Sequence, residues 1–218
     1  MKIAYQSEQE QLESLQKWWK ENGKSVIFGV VLGVAGMVGW SSWNAYTVRQ
    51  AEKASLSYEQ LVAFKKEGSQ EEAVKQGESL IDEFSNSGYA ELASLVVAKV
   101  ALEQGDREKA KTHLEWVIKE GQSLPVQSIA RLRLARLLTS EEKWTEAIAL
   151  LDGEAGEFAS LYEEVRGDIF HAQDDLPSAR TAYRKALARA NYSMDRKLQA
   201  RIRIKLDDLR RISQGSDA

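Results

Sequence analysis

The 218-residue sequence has no cysteine and only two prolines. Without cysteine there is no disulfide framework, no thiol nucleophile and no cysteine-ligated zinc site. The lack of cysteine fits a cytosolic protein and a periplasmic protein equally, so it does not decide the compartment. The net charge of -3 provides no broad basic surface. We therefore expect no nucleic-acid partner.

Residues that carry chemistry are also scarce. The only histidines, His113 and His171, are far apart and lie in no metal-ligand spacing. We expect both to be surface or interhelical side chains. No glycine-rich loop follows a predicted strand, and helix starts and solvated helix faces account for the many carboxylates. The sequence predicts no catalytic residue, no metal site and no cofactor, so we do not expect an enzyme.

One long stretch has no charge at all. Residues 25–48 are uncharged in a chain whose charged fraction is 29%, and a helix needs about 20 apolar residues to cross a membrane. Aromatic residues lie at both ends of the stretch: Trp18, Trp19, Trp40, Trp43 and Tyr46. Such rings prefer the headgroup regions on the two sides of a bilayer. The pattern predicts a transmembrane helix at residues 25–46 and a lipid bilayer as a partner.

A cleaved signal peptide is the alternative, because Gly39 and Ser41 form a loose small-residue cleavage pattern. The uncharged run continues past that pattern and the preceding residues are not simply positive, which favours a permanent anchor. Basic residues slightly favour the N-terminal side of the span. This excess predicts a cytoplasmic N-terminus and an outer location for the long C-terminal part.

Glycines mark one face of the predicted span. Gly29, Gly33 and Gly36 follow one another at four- and three-residue spacing, which predicts close packing against another membrane helix. The alternative is that glycine is simply common in membrane helices. Residues 1–24 predict a short amphipathic leader, either topology-setting or a cytoplasmic docking site, and the Asn22-Gly23 pair is expected to break or bend it before the span.

Four stretches after the span align with one another. Each has a helical pattern, a polar turn and a second helical pattern that opens on an alanine: Ala73, Ala110, Ala147 and Ala179. The alanines are 37, 37 and 32 residues apart, close to the tetratricopeptide period of about 34 residues. Small residues in the first helices are expected to lie against these second helices: Ala98, Ala135 and Gly167.

These patterns together predict an all-α fold with a single N-terminal transmembrane helix, an α-solenoid of about four tetratricopeptide-like helix pairs and a C-terminal capping helix. The repeat domain is predicted at residues 47–194, and the capping helix and tail at 195–218. The cap has one apolar face: Leu198, Ile202, Leu206, Leu209 and Ile212. Its opposite basic face is either simply solvated or a site for an acidic partner or lipid headgroups.

Stacked helix pairs curve, and their first helices line a concave wall where polypeptide can bind. The repeat register predicts this wall from both apolar and charged residues: Tyr58, Val62, Leu92, Leu95, Lys99, Leu132, Arg136, Leu161 and Glu164. A role in binding polypeptide therefore stands beside the predicted absence of catalytic residues.

The chain as a whole resembles the family of ancillary subunits of the SecYEG translocon. The resemblance is most specific between Glu21 and Leu61, where "ENGK", "SVIFGVVLGVAGMVGW", "WNAY" and "ASLSYEQL" follow one another. It implies a single-pass protein of the bacterial inner membrane with a periplasmic repeat domain. It also implies association with SecYEG and with a membrane-anchored prolyl-isomerase-type chaperone, linking exported polypeptides to periplasmic chaperones. The alternative function is a membrane-tethered repeat adaptor that sequesters or regulates a signalling protein.

Overall fold

The computed structural model of the chain describes residues 8–192 and 194–215. These residues form nine α-helices, one short 3-10 helix and no strand, which confirms the predicted all-α class. The elements are α1 (Glu8–Glu67), α2 (Gln70–Glu83), α3 (Gly88–Glu103), α4 (Arg107–Glu120), α5 (Leu124–Ser140), α6 (Trp144–Ala149), the 3-10 helix (Gly156–Phe158), α7 (Ala159–Ala172), α8 (Leu176–Tyr192) and α9 (Arg196–Gly215). They belong to two compact units, which meet in the sequence between Glu52 and Lys53.

The predicted break at Asn22-Gly23 is wrong, because both residues lie inside α1. The Asn22 side-chain amide donates to the Trp18 carbonyl, 3.1 Å away, within the helix. The Trp19 indole covers Gly23 so closely that an added Cβ would lie 3.3 Å from the ring. These contacts offset the low helix propensity of the pair. The first seven residues of the predicted leader lie outside the described residues.

Four antiparallel helix pairs follow, and the same turn joins the helices of every pair. One residue of each turn has a positive φ, of 82°, 83°, 60° and 60° in chain order: Gly68, Gly105, Glu142 and Asp174. The next amide donates to the carbonyl five residues earlier: Ser69 to Phe64, Asp106 to Ala101, Lys143 to Leu138 and Asp175 to Phe170. The identical turn geometry confirms that the four units are repeats in the predicted register.

The pairs are held together where small residues let the helices approach. All four predicted anchor alanines are 0% exposed. In the last pair, a Cβ added to Gly167 would overlap the Tyr183 ring, so this ring lies directly against the α7 backbone. Gly77 of α2 makes a similar contact with Val97 of α3, which the sequence pattern did not reveal. Small residues therefore position helices both within a pair and between pairs.

The third pair departs from the others. Its second helix, α6, has only six residues, whereas α2 and α4 have 14 each. The chain turns away after Leu151, and Gly156 has a φ of 49° at the start of the 3-10 helix. The repeat pattern predicted no such shortening.

The last helix, α9, closes the stack as predicted. Its buried Leu198, Ile202 and Leu209 pack with buried side chains of α8, including Tyr183 and Ala186. Leu206 is half-buried beside them. Ile212, which was also predicted for this face, is instead exposed.

The turn geometry predicts opposite effects for two substitutions. Glu142→Gly should stabilise the chain by about 0.5–1 kcal/mol, because a non-glycine residue is strained at positive φ. Gly105→Ala should destabilise it by about 1 kcal/mol for the same reason. Urea unfolding of the full-length protein, followed by circular dichroism, measures both changes. Glu115→Gly in the interior of α4 is the control and should destabilise; a loss of stability in Glu142→Gly would contradict the prediction.

Candidate binding surfaces

The first candidate surface is the uncharged part of α1. This helix is long and apolar enough to cross a membrane, and its most apolar window has a mean hydropathy of 1.7 with none of its residues buried. Among the described residues, and apart from the adjoining residues and backbone of α1 itself, no atom lies within 4 Å of a Cβ placed on Gly29, Gly33 or Gly36, so the glycine face is open. Near the end of the uncharged run, the exposed rings of Trp43 and Tyr46 lie 6.3 Å apart. The helix thus presents an uncovered apolar surface.

The second candidate surface is the wall formed by the first helices of the pairs, called here the first-helix wall. Three of its nine predicted residues are exposed, namely Leu92, Lys99 and Arg136, and three are half-buried, namely Tyr58, Val62 and Leu161. These six side chains are available at the surface of the repeat unit. The Tyr58 ring also lies 5.8 Å from the Tyr89 ring, which connects α1 with α3 at one end of the wall.

The other three predicted wall residues, Leu95, Leu132 and Glu164, are buried, so the prediction was wrong for them. Leu95 and Leu132 belong to the largest hydrophobic core cluster, which also contains Ala98 and Ala135. They fill the interior between the second and third pairs because their positions face the neighbouring helices. Glu164 is 1% exposed and is occupied by ion pairs with α9. None of the three is accessible on the wall.

Four cations on three successive first helices form a basic cluster on the wall: Lys65 of α1, Lys99 of α3, and Arg133 and Arg136 of α5. The Arg133 guanidinium reaches α3, where its Nη1 donates to the Leu95 carbonyl at 3.1 Å. Only a long contact of 3.8 Å, between exposed side chains, joins Lys99 to Glu103. The cluster is therefore weakly compensated within the described residues.

Burial and mutual repulsion lower the pKa values of two cations of the basic cluster. Burial lowers the pKa of Lys65, and the neighbouring Lys99 lowers that pKa further. Burial likewise lowers the pKa of Arg133, with an additional contribution from Arg136. Each shift means that the environment disfavours the positive charge. An acidic ligand on this part of the wall would relieve that repulsion.

The buried Glu164 anchors an ion network between α7 and α9, here called the cap network. Its Oε1 accepts from Arg201 Nε at 2.6 Å and lies 2.8 Å from Lys205 Nζ. Asp168, one turn further along α7, accepts from Lys205 Nζ at 2.6 Å and from the Tyr183 hydroxyl at 2.8 Å. Burial alone would raise the pKa of Glu164, but hydrogen bonds from Arg201 and Lys205 outweigh it and lower the pKa below its usual value.

His113 lies between two helices, and His171 lies at the surface. His113 Nδ1 is 3.2 Å from the Ser94 hydroxyl, which links α4 to α3. Burial lowers the pKa of His113, so its ring is neutral at pH 7. His171 is exposed. Within residues 8–192 and 194–215, no three histidine or acidic side chains come together in a group that could hold a metal ion.

Comparison with known proteins connects these surfaces to a family. The family model described as a tetratricopeptide repeat-like domain matches residues 16–211. A protein of Escherichia coli (strain K12) named "Ancillary SecYEG translocon subunit" is 31% identical over 180 residues, which cover 82% of this chain and 86% of the relative. This chain belongs to the family of ancillary SecYEG translocon subunits. A Haemophilus influenzae relative of the same name is 32% identical, and the match covers 84% of this chain and 91% of the relative.

More distant ancillary SecYEG translocon subunits match almost the entire chain. The Neisseria gonorrhoeae relative is 27% identical over 210 residues, which cover 95% of this chain and 99% of the relative. The family resemblance stated from the sequence is therefore confirmed. The similarity includes both the apolar part of α1 and the helix pairs, so the two candidate surfaces belong to one family architecture.

Two features, the basic cluster on the wall and the cap network, were not predicted. Lys65 and Arg133 were missed because they are far apart in the sequence and come together only when α1, α3 and α5 stack. The repeat register contained the necessary signal, since it placed Lys99 and Arg136 on the wall. Glu164 and Asp168 are four residues apart on α7, and Arg201 and Lys205 are four residues apart on α9. This matching spacing of acids and bases could have indicated the cap network.

The cap network predicts an acid-sensitive contribution to stability. The folded-state pKa of Glu164 lies below its unfolded value of 4.5, so its contribution is present above pH 4.5 and is lost as the pH falls through the folded-state pKa. Glu164→Gln should therefore lower the free energy of unfolding by about 2 kcal/mol at pH 7. It should also flatten the pH dependence below pH 4.5. Urea unfolding at pH 7 and at lower pH measures both effects.

The control for this prediction is Glu115→Gln, which removes an exposed carboxylate from α4. It should leave stability within about 0.5 kcal/mol of the native value. A Glu164→Gln variant with native stability at pH 7 and the native pH profile would show that the network does not stabilise the cap.

Proposed function

We propose that this chain is a single-pass inner-membrane subunit that associates with the SecYEG translocon through α1. The observation that carries the proposal is the open glycine face of an uncharged helix, which none of the described residues covers. Small residues let membrane helices approach closely, and such approach drives their association. The relatives are named as SecYEG translocon subunits, which suggests the partner for this face.

The proposed orientation places residues 1–24 in the cytoplasm and the repeat unit in the periplasm. The basic excess before the span supports this orientation. The repeat unit would then lie on the side where exported polypeptides emerge. It would link them to a membrane-anchored prolyl-isomerase-type chaperone and to the periplasmic chaperone network, as the family resemblance implies.

The first-helix wall is the proposed contact for polypeptide. Its six accessible side chains combine apolar and aromatic surface with Lys99 and Arg136, and the basic cluster adds Lys65 and Arg133. A wall of this composition suits modest binding of varied segments, with a preference for acidic ones. No catalytic step is part of the proposal, since the wall offers surface and charge only.

The association with SecYEG is tested by Gly29→Leu combined with Gly33→Leu. The full-length chain carries a C-terminal reporter that is active only in the periplasm. The double variant should lose most of the SecYEG that co-purifies in mild detergent, because the larger side chains prevent close helix approach. The reporter should stay active, because leucine keeps the span apolar.

Ala35→Leu combined with Ser42→Leu is the matched control, since both small residues point away from the glycine face at about 100° per residue. It should retain SecYEG. Unchanged co-purification in the glycine variant would contradict the packing role. A reporter that is inactive in the native chain would overturn the proposed orientation.

Binding to the wall is tested by reversing two of its charges. Lys99→Glu with Arg136→Glu should weaken binding of a labelled, unfolded acidic polypeptide to the full-length protein by about tenfold. Fluorescence anisotropy at low and raised salt measures the change, and salt should weaken the native complex. Lys75→Glu with Arg184→Glu, on exposed second-helix positions, is the matched control. Equal losses in both variants would contradict a specific wall.

A further inference from the structure

The shortened third repeat leaves space that the other repeats fill. The helix α6 ends at Ala149 after six residues, whereas the other second helices have 14 to 17 residues. At about 1.5 Å per residue, the missing part corresponds to at least about 12 Å of helix. The end of the third pair therefore lacks the segment that would cover α7 and α8.

This space is an open groove, called here the α6 groove. It consists of two adjoining cavities of about 360 and 450 Å³, which share Asp152, Glu163 and Arg166. The end of α6, the loop after it, α7 and α8 form its walls. The larger cavity is mostly apolar, through Ile148, Phe170, Pro177 and Ala182, whereas the smaller cavity, which Leu151 also lines, is mostly polar.

One arginine, Arg166, ties the loop after α6 to α7 where the two cavities meet. Arg166 Nη2 donates to the Leu151 carbonyl at 2.9 Å and to Asp152 Oδ1 at 2.6 Å, and its Nη1 donates to Glu163 Oε1 at 3.1 Å. These bonds fix the chain after α6 against α7. They also compensate much of the negative charge inside the groove. The chain after α6 therefore forms a fixed wall of the groove.

The rim of the groove is basic. Lys185 and Arg189 line it from α8, four residues apart on one helix face, and both are exposed. Neither makes an ion pair within the part of the chain that the structure describes. Tyr162 lines the smaller cavity, and its buried hydroxyl has no hydrogen-bond partner among the described residues. The groove thus combines apolar lining, a basic edge and the Tyr162 hydroxyl, which makes no hydrogen bond among the described residues.

We propose that the α6 groove is a docking site for an amphipathic helical segment of a partner protein, with acidic residues beside its apolar face. The missing turns of α6 define a space suited to a helix, the apolar lining matches the apolar face, and Lys185 and Arg189 match the acidic edge. This site is separate from the first-helix wall, because its basic edge lies on α8. It does not depend on the proposed contact with SecYEG.

The test uses a fluorescent helical peptide of about 14 residues with a leucine face flanked by glutamates. Thr181→Trp should weaken its binding to the full-length protein by about tenfold, because the indole occupies the groove. Thr112→Trp is the matched control. Both threonines are exposed on second helices, and each hydroxyl donates to the carbonyl four residues earlier at 3.0 Å.

Charge is tested on the same peptide. Lys185→Glu with Arg189→Glu should weaken its binding by about tenfold, whereas Lys75→Glu with Arg184→Glu should leave binding within about twofold. A version with lysine in place of glutamate should bind about tenfold more weakly to the native protein. The Lys99→Glu and Arg136→Glu variant should bind the helical peptide normally, which separates this proposal from the wall.

Three results would overturn the proposal. One is equal binding to the two tryptophan variants, and another is equal binding of the acidic and basic peptides. The third is self-association of the native protein, seen by sedimentation, that Thr181→Trp abolishes, since the groove would then hold a second copy. If circular dichroism shows that Thr181→Trp does not fold, the charge-reversed pair at Lys185 and Arg189 decides the outcome.

Discussion

The repeat unit depends on pairs of helices that approach so closely that only a small side chain fits between them. Each pair places a fully buried alanine near the start of its second helix. In the last pair, Gly167 lets the Tyr183 ring lie against the α7 backbone. Close packing of this kind fixes how the two helices cross. The crossing in turn determines which side chains reach the next pair and which remain on the wall.

A stack of such pairs ends in an apolar face, and α9 must cover it in one position only. The cap network sets that position, because acids four residues apart on α7 meet cations four residues apart on α9. A slip of α9 by one turn would leave the buried Glu164 without one of its partners. Leaving a buried carboxylate unpaired is costly. The apolar contacts hold the cap, while the ion pairs specify its register.

The sequence predicted the repeats, their anchor alanines and the capping helix, because these depend on local periodicity. It did not predict the short α6, since Leu150 and Leu151 continue the helical pattern and only Gly153 and Gly156 oppose it. The repeat register placed Glu164 on the wall, and its basic partners Arg201 and Lys205 lie 37 and 41 residues further along the chain. The prediction of a helix break at Asn22-Gly23 was wrong because the preceding Trp18 and Trp19 contact this pair, and helix propensity does not include such contacts.

The accessible surfaces of the repeat unit are small and mixed in polarity, which would make a freely diffusing protein a weak binder. A membrane anchor makes weak sites sufficient, because one contact that holds the protein beside its partner raises the effective concentration for a second contact. In the proposed arrangement, the glycine face of α1 supplies the tether. Modest contacts at the first-helix wall and the α6 groove would then be adequate. Weak sites on a tethered domain also release their ligands quickly, as the transfer of emerging polypeptides from one protein to the next requires.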